Sequence, residues 1–162
     1  MKKLFALLPL FYFHTSFSQD LPDYDNIQLV EKADYKVSEP AVIKAATYML
    51  STPYEKNDVN RLKSLQFIMK WMTGTPDYSF SLDASVSKLI KGNDDLLGFY
   101  LAAMTKYCLE NPANAKDEKL VKLNAIKTLI TYCDNPTNNI KMTKQLKKLS
   151  EAMQKGELEQ QL

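Results

Sequence analysis

The fold is decided by residues 93–133, which begin NDDLLGFYLAAMTKYCLEN and end, at residues 117–133, DEKLVKLNAIKTLITYC. In both parts the apolar residues recur every three or four positions, which places them on one face of an α-helix. Asn93, followed by two aspartates, is typical of a helix N-terminus. The spacing predicts one helix over 94–111 and a second over 117–133. Their apolar stripes are Leu97, Leu101, Met104 and Cys108 in the first, and Leu120, Leu123, Ile126, Leu129 or Ile130, and Cys133 in the second.

The same helical spacing extends toward the N-terminus. Ser38 as an N-cap, with Pro40 in the first turn, predicts a helix that ends at about residue 51. Another predicted helix begins at Asp58 or the residue before it and ends at Gly74, which we expect to be a left-handed C-terminal residue. The expected core-facing residues are Val42, Ala45 or Ala46, and Met49 in the first of these helices, and Leu62, Leu65, Ile68 or Met69, and Met72 in the second.

Two further helices complete the predicted set. Asp83 opens a short helix that ends at Gly92, and a last helix begins near residue 138. The sequence contains no alternating apolar and polar run of strand length. It therefore predicts an all-α fold, either a compact bundle or a short array of helical hairpins, with about five to six helices.

Residues 1–18 have the pattern of a signal peptide. Two lysines precede an apolar run, LFALLPLFYF, at residues 4–13, and small residues lie before the expected cleavage site after Ser18. The run is too short to span a bilayer, and no later run approaches the necessary length. We therefore expect export to the periplasm or beyond, with an extended lead-in over 19–37 and a single all-α domain over 38–162.

The composition of the chain without its signal peptide excludes several classes of function. The whole chain has 21 Lys+Arg and 19 Asp+Glu, and the signal peptide contains two of the lysines and no acidic residue, which leaves 19 of each. A neutral chain gives no reason to expect a nucleic-acid partner. The one histidine, His14, lies in the signal peptide, so the mature chain has no histidine base and no His-containing zinc site. We expect no metal and no cofactor.

The two cysteines raise the question of a disulfide, which is common in exported proteins. Cys108 lies near the end of the helix over 94–111, and Cys133 lies near the end of the helix over 117–133. In an antiparallel hairpin these positions are about 5 Å and about 24 Å from the connecting turn at 1.5 Å per residue. A disulfide needs Cα atoms within about 7 Å. We predict that both thiols are free and buried.

Catalysis without histidine would have to use carboxylates or a serine–lysine pair. Asp77 and Asp83 bracket one loop and could act as the acid and base of a glycosidase-like site. Ser85 and Lys88 match the S-x-x-K spacing, although about one such match is expected by chance in this composition and the companion motifs are absent. These four residues are the catalytic candidates.

The segment KWMTGTPDYSFSLD, residues 70–83, is the strongest candidate for a binding surface. It lies between predicted helices and contains the sole tryptophan together with two further aromatic residues. Loops that carry aromatic residues on a rigid scaffold often bind partners, but they also often fold those rings back over the core. We predict a binding surface formed by Trp71, Asp77, Tyr78 and Phe80, with core covering as the alternative.

Two functions follow from these candidates. The first is an exported, non-enzymatic helical domain that binds a protein or another macromolecule of the cell envelope. The alternative is a small envelope hydrolase or lyase that uses the carboxylates or the Ser–Lys pair. An enzyme requires at least two of the candidate side chains within hydrogen-bond reach in a cleft. A binding protein requires an exposed surface patch.

Overall fold

The computed structural model describes residues 21–162, and every regular element in this range is helical. Six α-helices follow one another: α1 (Lys32–Ser51), α2 (Val59–Gly74), α3 (Ala84–Ile90), α4 (Asp95–Glu110), α5 (Glu118–Asp134) and α6 (Lys144–Gln154). Short 3₁₀ helices occur at Tyr24–Asn26, Pro136–Asn138 and Leu158–Gln161. These elements confirm the predicted all-α fold. The predicted signal peptide, residues 1–18, lies outside the described residues.

The central element of the bundle is α4. Eleven of its sixteen residues are buried, which covers every side of the helix. It packs against both α1 and α5. Ala102 and Leu109 belong to the apolar cluster formed with α1 and α2, whereas most other buried residues of α4 belong to a larger cluster with α3, α5 and α6. This helix therefore joins the two clusters into one bundle.

Contacts near the helix ends fix the directions of α1, α2 and α4. Trp71, near the end of α2, donates its indole N–H to the carbonyl of Tyr35, near the start of α1, at 2.9 Å. Met49, near the end of α1, lies against Gly98 in the first turn of α4. Both α2 and α4 are therefore antiparallel to α1. They run parallel to each other, and their N-termini lie at the same end of the bundle.

The two cysteines lie on a second antiparallel hairpin, formed by α4 and α5. The ring of Phe99, near the start of α4, lies 4.5 Å from the ring of Tyr132, near the end of α5. Cys108 lies near the end of α4 and Cys133 near the end of α5, so the two cysteines belong to opposite ends of this hairpin. Both are buried, free thiols.

The first helix begins at Lys32, inside the segment 19–37 that was predicted to be extended. A capping box explains the earlier start. The Asp34 carboxylate accepts from the backbone N–H of Glu31 at 2.9 Å, and the Glu31 side chain accepts from the backbone of Asp34. As a result, Pro40 lies inside the helix and not in its first turn.

Gly74 has a different role from the one predicted. Positive φ values in the described residues occur at Asn139, Gly92 and Gly156, and not at Gly74. A Cβ atom at Gly74 would lie only 2.0 Å from the hydroxyl oxygen of Tyr35. The Tyr35 side chain packs directly on the backbone at the end of α2, so any residue with a Cβ at position 74 would have to displace that ring.

The last helix, α6, begins at Lys144 and not near residue 138, where the chain forms a 3₁₀ turn. The Thr143 side chain caps α6 by accepting from the N–H of Leu146 at 3.1 Å. Its hydroxyl also donates to the carbonyl of Leu89 at 2.6 Å. The cap therefore ties the start of α6 to the end of α3.

Candidate functional site

The predicted aromatic binding residues lie at the end of α2 and in the segment that follows it. Trp71 exposes none of its surface. The rings of Tyr78 and Phe80 lie 5.5 Å and 6.0 Å from the Trp71 ring. Both are half-buried, and burial raises the pKa of the Tyr78 hydroxyl. In this conformation the rings cover the core, which was the alternative considered above, and Trp71 offers no surface to a partner.

The two candidate carboxylates, Asp77 and Asp83, are held by different helices. Asp77 pairs with Lys32 of α1 at 3.6 Å, and both side chains are exposed. Asp83 pairs with Lys122 of α5 at 2.9 Å. Each carboxylate therefore has its own lysine partner, and no hydrogen bond joins the two acids within the described residues.

Asp83 and Ser85 form the N-terminal cap of α3. The Asp83 carboxylate accepts from the backbone N–H of Ser85 at 2.8 Å and also from the Ser85 hydroxyl. The hydrogen bond from that hydroxyl, followed by the one from Lys122, holds the pKa of Asp83 well below its usual range. Lys88 is exposed and makes no hydrogen bond to Ser85 in the described chain. The Ser85 hydroxyl is therefore engaged by a carboxylate and not by the lysine that the S-x-x-K spacing predicts.

A small cavity lies beside Asp83. Its volume is about 40 Å³, and its lining includes Ser81, Tyr100 and Lys122. Small-molecule sites typically have volumes of about 300–1,000 Å³, so this cavity is large enough for water but not for a substrate. Burial raises the pKa of Tyr100 to about 12, which keeps its hydroxyl protonated at neutral pH. In residues 21–162 no group of three or more His, Cys, Asp or Glu side chains is placed to hold a metal ion.

The predicted core stripe of α2 is mostly on the surface. Leu62 and Met69 are 55% and 47% exposed, and Leu65 between them is half-buried. These three residues are spaced i, i+3, i+7 and share one helix face. Of the predicted stripe, only Ile68 is fully buried. The buried residues of α2 are instead Arg61, Ser64, Phe67, Ile68 and Trp71.

Two aromatic residues set the orientation of α2. Phe67 stacks on Tyr24 with ring centroids 4.7 Å apart. Trp71 lies between α1 and the rings of Tyr78 and Phe80. Aromatic side chains remove more apolar surface from water than Leu or Met. Burying Phe67 and Trp71 therefore outweighs burying Leu62 and Met69, which turns their stripe toward solvent.

The exposed stripe forms one wall of a groove between α2 and α4. Its cavity volume is about 260 Å³. Gly98 allows α2 and α4 to approach closely here, since a Cβ at this position would lie only 3.0 Å from Cδ2 of Leu65 on α2. We call this feature the α2–α4 groove. Its apolar walls consist of Leu62, Leu65 and Met69 of α2 and Leu97 and Leu101 of α4.

One end of the α2–α4 groove is acidic. Because α2 and α4 are parallel, the residues that precede or begin both helices meet at this end. The exposed carboxylates there belong to Glu55, Asp94 and Asp95, and one exposed lysine, Lys56, accompanies them. The Arg61 guanidinium also lies at this end, but it is buried and its N–H groups donate to backbone carbonyls. The exposed charge at this end is therefore negative.

The sequence of α2 has two apolar faces, which indicates a second surface on this helix, although the helical pattern alone does not show which face is buried. Between residues 61 and 72, α2 carries apolar residues on two faces, because Leu62, Leu65 and Met69 alternate with Phe67, Ile68 and Trp71. A surface helix normally has one apolar stripe of limited width. A second stripe indicates that the helix has another surface to cover, but the pattern does not say which stripe faces the core.

None of the helices within residues 21–162 is both long and apolar enough to cross a membrane. The candidate functional site is the α2–α4 groove, because it combines exposed apolar side chains with an acidic end.

Comparisons of the chain with models of known protein families, with curated proteins and with solved structures give no match.

Proposed function

We propose that this protein is an exported, non-enzymatic domain that binds another macromolecule of the cell envelope through the α2–α4 groove. The observation that carries the proposal is the stripe of Leu62, Leu65 and Met69, which has the spacing of a core stripe but faces solvent. An apolar surface bordered by charged residues is typical of sites for protein partners.

Covering the stripe would supply binding free energy. Fully burying a Leu or Met side chain is worth about 1.5–3 kcal/mol. Since Leu62 and Met69 are already about half covered, a partner gains about 1 kcal/mol from each. Trp71 and Arg61 fix α2 from its buried side, so the groove needs little ordering when a partner binds.

The segment with Asp77, Tyr78 and Phe80 is a separate candidate contact. Asp77 is exposed, and the two rings keep part of their surface in solvent. A partner could rest on this surface without displacing Trp71. The experiment below therefore tests this segment and the groove side by side.

An enzymatic function has less support from the same contacts. Asp77 pairs with Lys32, and Asp83 is occupied by the cap of α3 and by Lys122. The enclosed cavity of about 40 Å³ beside Asp83 has no space for a substrate. Asp83 and Lys122 also line a wider depression of about 530 Å³, but Asp77, Ser85 and Lys88 are not among its lining residues, so it does not bring the catalytic candidates together. We therefore propose binding in preference to hydrolase or lyase chemistry.

Affinity capture from an envelope extract tests the proposal. The baits are produced by export of the full-length chain and are the wild type, the groove variant Leu62→Glu/Met69→Glu and the loop variant Tyr78→Ala/Phe80→Ala. We expect mass spectrometry to identify one protein that the wild type and the loop variant retain and the groove variant loses. The intact mass of the exported bait should also correspond to a chain that begins at Gln19.

A matched control shows whether loss of the partner is specific to the groove or follows from replacing any exposed apolar residues. Val30 and Val37 are 78% and 79% exposed and lie outside the groove, so Val30→Glu/Val37→Glu should retain the partner. Circular dichroism melting shows that each bait is folded. Loss with the loop variant alone would move the site to Tyr78 and Phe80, and the absence of any specific partner would contradict the binding function.

A further inference from the structure

We infer that the α2–α4 groove accepts an amphipathic helix of a partner protein, which carries basic residues in its last turn and lies antiparallel to α2 and α4. This inference rests on the proposed function and names the chemistry of the partner segment. It follows from the length of the groove, the charge at one end and the direction of the two helices that form it.

The dimensions of the groove fit a short helix. From Asp58 to Met69 the chain advances eleven residues, about 16 Å at 1.5 Å per residue, which corresponds to about three helical turns. The cavity of about 260 Å³ is smaller than a typical small-molecule site. Leu62, Leu65 and Met69 present the i, i+3, i+7 spacing that complements the apolar face of another helix.

The charged end of the groove favours a basic segment. Glu55 and Asp94 are exposed, and in the described chain neither carboxylate accepts a hydrogen bond. Asp95 lies beside the Tyr54 hydroxyl. Against these three carboxylates stands one exposed lysine, Lys56. A partner with lysine or arginine at this end would pair with Glu55 and Asp94, which accept no hydrogen bond from residues 21–162.

The direction of α2 and α4 sets the direction of the partner. Both helices present their N-termini, which carry partial positive charge, at the acidic end. A helix C-terminus carries partial negative charge and is stabilised by basic residues in its last turn. Placing the partner's C-terminus at the acidic end brings its dipole against the N-termini and its basic side chains against Glu55 and Asp94. The basic side chains of the last turn offset the repulsion between the partner's C-terminus and the carboxylates. The opposite direction would instead bring the partial positive charge of the partner's N-terminus against those of α2 and α4.

Synthetic helical peptides of about four turns test the inference by fluorescence anisotropy against the exported, processed protein. The peptides share one Leu/Met face and differ in charge: lysines in the last turn, glutamates in the last turn, or lysines in the first turn. We expect the peptide with lysines in its last turn to bind about threefold to tenfold more tightly than either of the others. This preference should weaken as salt is raised, because the pairs are exposed.

Three variants assign the effect to the groove. Glu55→Gln/Asp94→Asn should weaken the preference between peptides, because Asp95 is the one exposed carboxylate left among the three at this end, while binding persists, because both side chains are exposed and Asp94 makes no side-chain cap hydrogen bond. Leu62→Glu/Met69→Glu should abolish binding of all three peptides. As a matched control, Glu157→Gln/Glu159→Gln removes two exposed carboxylates elsewhere and should change neither the binding nor the preference.

Each contrary outcome overturns a defined part of the inference. Equal affinities, or tighter binding of the glutamate peptide, would overturn the basic partner, and preference for first-turn lysines would overturn the antiparallel direction. Self-association of the wild type that Leu62→Glu/Met69→Glu removes would make a second copy of the chain the occupant. Failure of every peptide, together with a captured protein that the groove variant loses, would overturn the helix but leave the proposed function intact.

Discussion

At the scale of single residues, Arg61 closes the C-terminal end of α1. Its Nη1 donates to the Met49 carbonyl at 2.8 Å, and its Nη2 donates to the carbonyls of Thr52 and Pro53 at 2.9 Å and 3.0 Å. The guanidinium also lies over the Phe99 ring, 4.9 Å from its centroid. Carbonyls at a helix end have no partner within the helix. One buried, forked cation therefore satisfies a set of groups that would otherwise be desolvated and unpaired.

Replacing Arg61 by lysine tests this role. A lysine keeps the charge but has a single ammonium group, which cannot reach the Met49 and Pro53 carbonyls together. We expect Arg61→Lys to lower the free energy of unfolding by about 2–4 kcal/mol, measured by urea denaturation. Lys70→Arg, the reverse change at an exposed position of α2, should stay within about 0.5 kcal/mol of the wild type. A stability of Arg61→Lys equal to that of this control would contradict the assigned role.

At the scale of elements, the short helix α3 depends on its cap. With seven residues it is too short to be stable alone. Asp83 caps its N-terminus and, through Lys122, connects it to α5. Since Thr143 ties the other end of α3 to α6, both ends of the helix are held by contacts with other elements.

The cap predicts a specific sensitivity to acid. The folded-state pKa of Asp83 lies below its ordinary value of 3.8, because the Ser85 hydroxyl and then Lys122 donate to the carboxylate. Its contribution to stability is therefore complete above about pH 4 and is lost as the pH falls below that value. Asp83→Asn keeps a capping side chain but has no carboxylate to protonate. We therefore expect its free energy of unfolding to fall less than that of the wild type between about pH 5 and about pH 2.5, a range that includes the ordinary pKa of 3.8.

Two milder variants test the two contacts separately. Ser85→Ala and Lys122→Met should each reduce the loss of stability in acid, because the Ser85 hydroxyl and the Lys122 ammonium both donate to the Asp83 carboxylate and lower its pKa. Urea midpoints measured at each pH provide the comparison. An unchanged acid profile in Asp83→Asn would show that other carboxylates determine the acid transition.

The elements also show where sequence patterns are sufficient. The expected stripe of α1 is buried at Val42, Ala45, Ala46 and Met49 because that helix has one apolar face. In α2 the pattern offered two faces, and only the packing of aromatic rings against Tyr24 and α1 decides between them. The start of α1 was missed for a local reason, since its capping box uses Glu31 at the N-cap position and not one of the preferred N-cap residues.

At the scale of the whole molecule, the sequence predicted the fold class because each long helix carries its own periodic signal. The contacts that join the helices have no such signal. The Tyr132 hydroxyl donates to the Thr52 carbonyl at 2.6 Å across 80 positions of chain, and Arg61 donates to the same carbonyl. The α2–α4 groove likewise has no local sequence signal, since its walls and its acidic end come from segments that meet only in the folded bundle.

The thiols report whether the bundle opens as one unit. Cys108 lies on α4, which joins the two apolar clusters, and Cys133 lies on α5. Burial raises the pKa of Cys108 to about 11 and that of Cys133 to about 12, so both stay protonated at pH 8. We expect Ellman's reagent at pH 8 to react with either thiol about a thousandfold more slowly than with the cysteine of Ser87→Cys, an exposed position of α3.

The same thiols predict the alkaline behaviour. Because the folded state holds these protons more tightly than the unfolded chain, stability should fall as the pH rises from about 9 toward the folded-state values. Cys108→Ala/Cys133→Ala should weaken that dependence. If the labelling rates of the two thiols both follow the global unfolding equilibrium in urea, the larger apolar cluster, which contains both thiols, opens only when the whole bundle unfolds. Rapid labelling of Cys133 alone would show that α5 opens at Cys133 while the surroundings of Cys108 on α4 stay closed, which would contradict a single cooperative bundle.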